Sequence, residues 1–79
     1  MAKGTQDARY QRLIDALAVA RRKAGISQVE LANKLGKRQQ FVSKYESGER
    51  RLDAIEVIDI GRALGIDVPG LLEAVVGVK

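Results

Sequence analysis

Five polar side chains recur at helical spacing in one short stretch: Gln39, Gln40, Ser43, Lys44 and Ser47. At about 100° per residue they share one arc of a helix, with Val42, Tyr45 and Glu46 on the opposite side. The arc carries no acid. A side-chain amide can bond adenine N6 and N7, and an ammonium can reach guanine O6 and N7, so a helix bearing this arc could read base edges in a major groove. The other reading is a solvated polar face with no ligand. Phe41 sits on the flank, where it could touch a thymine methyl or pack against the preceding helix.

Chemistry of other kinds finds little to work with. The chain has no Cys and no His, which excludes disulfides, zinc fingers and His-dependent catalysis. There is no phosphate loop of the GxxxxGK[ST] type and no metal-ligand spacing. The chain is therefore expected not to be an enzyme and to need no cofactor.

The elements that would position the polar arc are legible around it. Residues 27–48, SQVELANKLGKRQQFVSKYESG, read as two short helices joined too tightly to lie antiparallel, a helix-turn-helix. Ser27 offers a hydroxyl to the free N–H groups of a helix start, and Glu30 completes the capping-box spacing. Leu31, Ala32 and Leu35 supply that helix's buried side. Gly36 falls where the chain leaves it with a positive φ. The second helix covers about residues 38–47.

Helices also flank the motif, with no strand candidate. Tyr10, Leu13, Ile14, Leu17, Arg21 and Ala24 follow the i, i+3, i+4, i+7 pattern of a helix buried on one side, ended by Gly25. A fourth helix is expected over residues 54–64, with Val57, Ile60, Gly61 and Leu64 inward and Ile55 and Ile58 on its flank. Gly61 costs about 1 kcal/mol relative to Ala inside a helix, which suggests close packing against a neighbour. A short fifth helix follows Asp67 and Pro69 and carries Leu71, Leu72, Val75 and Val76.

Gln28, Ala32, Gly36, Val42 and Tyr45 have the spacing of the helix-turn-helix in phage repressors, Cro proteins and the wider lambda-repressor-like (XRE) family of DNA-binding domains. The stretch GERRLDAIEVIDIGRALGI, residues 48–66, resembles the loop and fourth helix of those domains, so the resemblance spans about residues 9–76. Lys37 departs from the pattern, since the family usually places an apolar or small side chain there. Its stem can lie over the core edge with the ammonium in water. The resemblance implies an all-α, compact five-helix domain with the helix-turn-helix in helices 2 and 3.

It also implies roles, residue by residue. Gln28 matches a position that binds a backbone phosphate and braces the first recognition-helix side chain. Gln39, Gln40 and Lys44 match positions that read bases, with Ser43 close enough to assist. Lys37, Arg38, Arg50 and Arg51 are read as phosphate contacts, which set register but carry no sequence information. Arg21 lies on the inward stripe of helix 1, and the resemblance pairs it with Glu46 as a partly buried ion pair. Its role would be to orient the recognition helix rather than to add net stability. The alternative is an arginine that snorkels to solvent.

Composition agrees with a small basic module. Seventy-nine residues make one domain with a modest core. The net charge of +4 hides an asymmetry, because residues 21–51 hold nine Lys or Arg against three Glu. Phosphate neutralisation supplies most non-specific affinity for DNA, so the charge lies where a duplex-facing surface would need it. No apolar run approaches a membrane span, and residues 1–7 lack the apolar stretch of a signal peptide. The expected location is the cytoplasm, with no membrane partner. Residues 1–8 are expected to form a flexible tail, residues 9–76 the domain and residues 77–79 a C-terminal tail.

The function expected from these observations is sequence-specific binding of double-stranded DNA by a transcriptional regulator. A repressor would occupy a pseudo-palindromic operator as a homodimer. Leu72, Val75 and Val76 crowd more apolar surface onto the last helix than one buried stripe needs, and are candidates for the dimer interface. The competing class is a protein-interaction module, such as an adaptor or an antitoxin with a toxin partner.

Overall fold

The computed structural model describes residues 7–76, which form five helices in an all-α domain. They are α1 (Ala8–Lys23), α2 (Gln28–Leu35), α3 (Gln39–Ser47), α4 (Ala54–Leu64) and α5 (Val68–Val76). The expected tails at residues 1–6 and 77–79 lie outside the described residues. Residues 7 and 8, assigned to the tail from sequence, form the start of α1 as its cap and first residue. Asp7 is its N-cap, with Oδ1 accepting from Arg9 N at 2.8 Å, and Ala8 is its first residue.

The local signals around the motif produce the expected geometry. Ser27 and Glu30 exchange the two bonds of a capping box, at 3.0 and 2.8 Å. Each satisfies a backbone N–H that a helix start leaves without a partner. Gly36 takes φ +69°, and the next amide, Lys37 N, donates back to the Ala32 carbonyl at 2.9 Å, which closes α2 and turns the chain within three residues. Helix α3 starts at Gln39, one residue later than the approximate boundary, with Arg38 as an N-cap that offers no side-chain acceptor.

The core sits where α1, α2, α3 and α4 meet. Leu17, Leu31, Val42, Tyr45 and Ile60 are fully buried, and Ile14 and Ala32 join them. Each comes from the inward arc of its helix, so the 3.6-residue periodicity of every segment is spent on one shared centre. Helix α5 closes the domain against α1 and α4. A Cβ on the buried Gly61 would overlap the Val68 side chain, so α5 reaches α4 only because that position is glycine. Pro69 falls in the first turn of α5, where its missing N–H costs no helical bond.

Candidate nucleic-acid interface

The recognition arc is built on α3 as two faces. Val42 and Tyr45 are fully buried, whereas Gln39, Gln40, Lys44 and Ser47 are exposed and Ser43 is half-buried. Ser43 Oγ donates to the Gln40 carbonyl at 3.3 Å and Ser47 Oγ to the Lys44 carbonyl at 3.1 Å. Both hydroxyls are thus turned back onto the helix. The amides of Gln39 and Gln40 and the ammonium of Lys44 project outward as the groups able to meet a groove.

A buried network ties that helix to α1 and α2. Arg21 donates through Nε to Glu46 Oε2 at 2.8 Å and through Nη2 to Oε1 at 3.2 Å, and its Nη1 donates to the Ile26 carbonyl at 2.7 Å. The side chains are only 11% and 9% exposed, so the guanidinium is held inside rather than snorkelling out. Burial alone would push the Glu46 carboxyl up. Hydrogen bonds from Arg21 and Gln28, with the nearby positive charge, outweigh that and hold it below the usual range. The same contact raises the Arg21 pKa further.

Gln28 takes part in this network, since its Nε2 donates to Glu46 Oε1 at 2.9 Å. One of its two amide hydrogens is therefore spent on the protein. The half-buried side chain thus braces α2 against α3 through Glu46, not through the first side chain of α3 as the resemblance implied, and the other hydrogen remains for an outside acceptor.

The cations around the arc are not all alike. Lys37 and Arg38 are exposed, with the Lys37 ammonium 5.2 Å from the centre of the Phe41 ring. The Arg50 guanidinium lies 4.9 Å from the same centre and forms a two-bond ion pair with Glu56 at 2.8 and 3.0 Å. Arg51 stacks at 4.2 Å on the Tyr10 ring. The loop between α3 and α4 thus places each of its arginines on an aromatic from a different helix. Tyr10 also accepts from Leu52 N at 3.1 Å and ties that loop to α1.

Phe41 packs against the core edge and meets Tyr45 edge to face at 5.6 Å, so it supports α3 and carries cations on its ring. The sequence does not mark Tyr10 or Glu56 as residues that shape this surface. The spacing of Asp53 and Glu56 was the available signal for one of them. It is a second capping box, with bonds of 2.8 and 2.9 Å, and it places the Glu56 carboxylate where Arg50 finds it.

The apolar end of the domain requires one correction. Val75, expected at a dimer interface, is only 6% exposed, because α5 turns it inward onto the body of the domain. Leu72 and Val76, four residues apart on one face, stay exposed at 42% and 61%. Ile58 of α4 lines two surface depressions together with Leu72, and a third is shared by Leu72 and Val76. Among the described residues no helix is long and apolar enough to cross a membrane, and no cluster of three or more acidic residues could hold a metal ion.

The helix-turn-helix family model HTH_3 matches residues 17–71, which contain α2, α3 and α4. A solved structure described as an XRE-family like protein from Pseudomonas syringae pv. tomato str. DC3000 is 54% identical, covers 87% of this chain and 84% of its own, and has a TM-score of 0.85. None of the curated proteins is significantly similar to the chain.

Proposed function

This chain belongs to the XRE-type helix-turn-helix family of DNA-binding domains, and from that premise we propose that it is a transcriptional regulator that represses by occupying a pseudo-palindromic operator. The observation that carries the reading is the exposed, acid-free arc of α3, held at a set angle by the buried Arg21–Glu46–Gln28 network. Gln39, Gln40 and Lys44 read bases, with Ser43 assisting at the same face. Lys37, Arg38, Arg50, Arg51 and the second amide hydrogen of Gln28 hold phosphates and set the register.

The operator is occupied by a homodimer that meets across the α4–α5 end. Exposed Leu72, Val76 and Ile58 support this, since a contiguous apolar face is a liability on a monomer and is covered when two copies meet about a two-fold axis. Two recognition helices would then lie about 34–36 Å apart on one side of the duplex. The same face would equally suit a different protein partner, such as a toxin bound by an antitoxin.

Sequencing the duplexes that the chain retains from a random pool tests the reading. The expected result is an enriched inverted repeat with half-sites about one helical turn apart. An enriched single half-site would remove the dimer, and no enrichment at all would remove operator recognition. Light scattering on the intact chain and on Val76→Glu checks the interface separately, with a dimer that dissociates while staying folded as the expected outcome.

A further inference from the structure

The contact between Arg50 and Glu56 raises a question that the DNA-binding reading leaves open, namely why a surface meant for a polyanion keeps a carboxylate beside one of its arginines. Glu56 is fixed before Arg50 is considered. Its Oε1 accepts from Asp53 N at 2.9 Å, and its own N–H donates to Asp53 Oδ1 at 2.8 Å, both in the first turn of α4. Arg50 then docks onto it, with Nη1 donating to Oε1 at 3.0 Å and Nη2 to Oε2 at 2.8 Å. The second Nη1 hydrogen goes to the Arg51 carbonyl at 3.0 Å, and the guanidinium rests on Phe41.

This arrangement uses only one edge of the guanidinium. A guanidinium carries a second parallel pair of donors, Nε–H with the remaining Nη2–H, spaced to meet two oxygens of a phosphate. Among the described residues that edge of Arg50 has no acceptor, and the side chain is 42% exposed. Glu56, at 15% exposed, lies more deeply behind it. We propose that Glu56 is a positioning residue for DNA: with Phe41 and the Arg51 carbonyl it locks Arg50 so that the Nε/Nη2 edge is presented to a backbone phosphate beside the recognition helix. An arginine held this way loses little side-chain freedom on binding, so the acid aids DNA binding although its charge opposes it. Lys37, on the same Phe41 ring, adds a second positive charge to the same stretch of backbone.

The inference rests on the DNA-binding reading, and a double-mutant cycle on the full chain separates the two. Removing the Glu56 charge strengthens attraction to any polyanion, whatever Arg50 does, so the affinity of Glu56→Gln alone is not diagnostic. The cycle cancels that term. Glu56→Gln keeps an oxygen for the Asp53 amide, so the cap survives.

The probe is a mixed-sequence DNA duplex of about 24 base pairs, titrated over a range of salt concentrations. Arg50→Ala is expected to weaken binding about tenfold in the otherwise native chain and to shallow the salt slope by about one. In the Glu56→Gln background the same substitution is expected to cost about threefold or less. An equal or larger loss in that background would overturn the proposal while leaving DNA binding intact. A native chain that ignores the duplex would remove the DNA reading itself.

NMR of the Arg50 Nε–H group in the free native chain gives a readout independent of DNA and of any variant's folding. Slow guanidinium rotation is expected for Arg50 and fast rotation for Arg38. Equally fast rotation at both would also overturn the proposal.

Discussion

Two arginine–glutamate pairs, Arg21–Glu46 and Arg50–Glu56, each have a shortest bond of 2.8 Å, yet their surroundings make them different objects. In the Arg21–Glu46 pair the side chains are 11% and 9% exposed, and every contact is intramolecular: two helices, the Ile26 carbonyl and the Gln28 amide. In the Arg50–Glu56 pair the arginine is 42% exposed and shows a free edge to solvent. Bond length therefore says little about what an ion pair does. A buried pair is costly to break because each charge left alone has no water to replace its partner, whereas an exposed pair is solvated on separation. The first pair ties α1 to α3 from inside, whereas the second sits at the surface with one arginine edge open.

The most disruptive way to probe the contrast is Arg21→Ala. It strands the Glu46 carboxylate beside the core and is expected to cost about 3–5 kcal/mol, read as a shift in denaturant midpoint. Replacing both partners with apolar residues of similar size should recover most of that loss, because the desolvation penalty goes with the charges. An unchanged midpoint for Arg21→Ala would make the two pairs equivalent.

The exposed arc of α3, in contrast to the buried pair, should respond in binding and not in stability. Alanine at Gln39, Gln40 or Lys44 is expected to cost about 1–3 kcal/mol on the preferred operator while non-specific affinity and the melting temperature hold. Retention of the original operator preference by all three variants would show that α3 is not the reading element.

A gain in stability is expected at Tyr45. Its ring is fully buried, its hydroxyl has no hydrogen-bond partner among the described residues, and burial pushes its pKa well up. Arg21, in the same core, has its polar atoms matched. Tyr45→Phe removes an unmatched polar atom and should raise stability by up to about 1 kcal/mol, measured by chemical denaturation. Arg50→Ala should move stability least, since water replaces Glu56.

The pairs should also differ in acid. Hydrogen bonds from Arg50 hold the Glu56 carboxyl at about 2, below its ordinary value of 4.5, and Glu46 is likewise lowered. A depressed folded pKa means that the unfolded chain binds the proton more readily. Both contributions are therefore full above the unfolded value, about 4.3, and are lost as pH falls toward the folded one. A melting temperature followed from pH 6 to pH 2 should fall, and Glu46→Gln and Glu56→Gln should each flatten that fall.

Much of this molecule was legible in its chain. The helix boundaries follow from local chemistry: a hydroxyl with a glutamate three residues on at the start of α2, glycine at its end, and apolar residues at a 3.6-residue period throughout. Those signals act within one or two turns, so they survive without knowledge of the fold. The expectation that Gly61 admits a close neighbour also held, since an absent side chain inside a helix has few other uses.

What the amino-acid sequence determined by itself was therefore the five helices, the faces that each must bury, and the acid-free arc of α3. Beyond the Arg21–Glu46 pair, which the family resemblance implied, only the tertiary structure decided which charges meet. Arg50 and Glu56 lie on different elements and find each other because the loop folds back over α4. Gln28 turns toward Glu46 across eighteen positions. Val75 goes inward and Val76 outward according to how α5 is rotated against the body of the domain. Periodicity names a face of a helix, but the direction in which a rim residue points depends on the neighbour it packs against, which no local pattern contains.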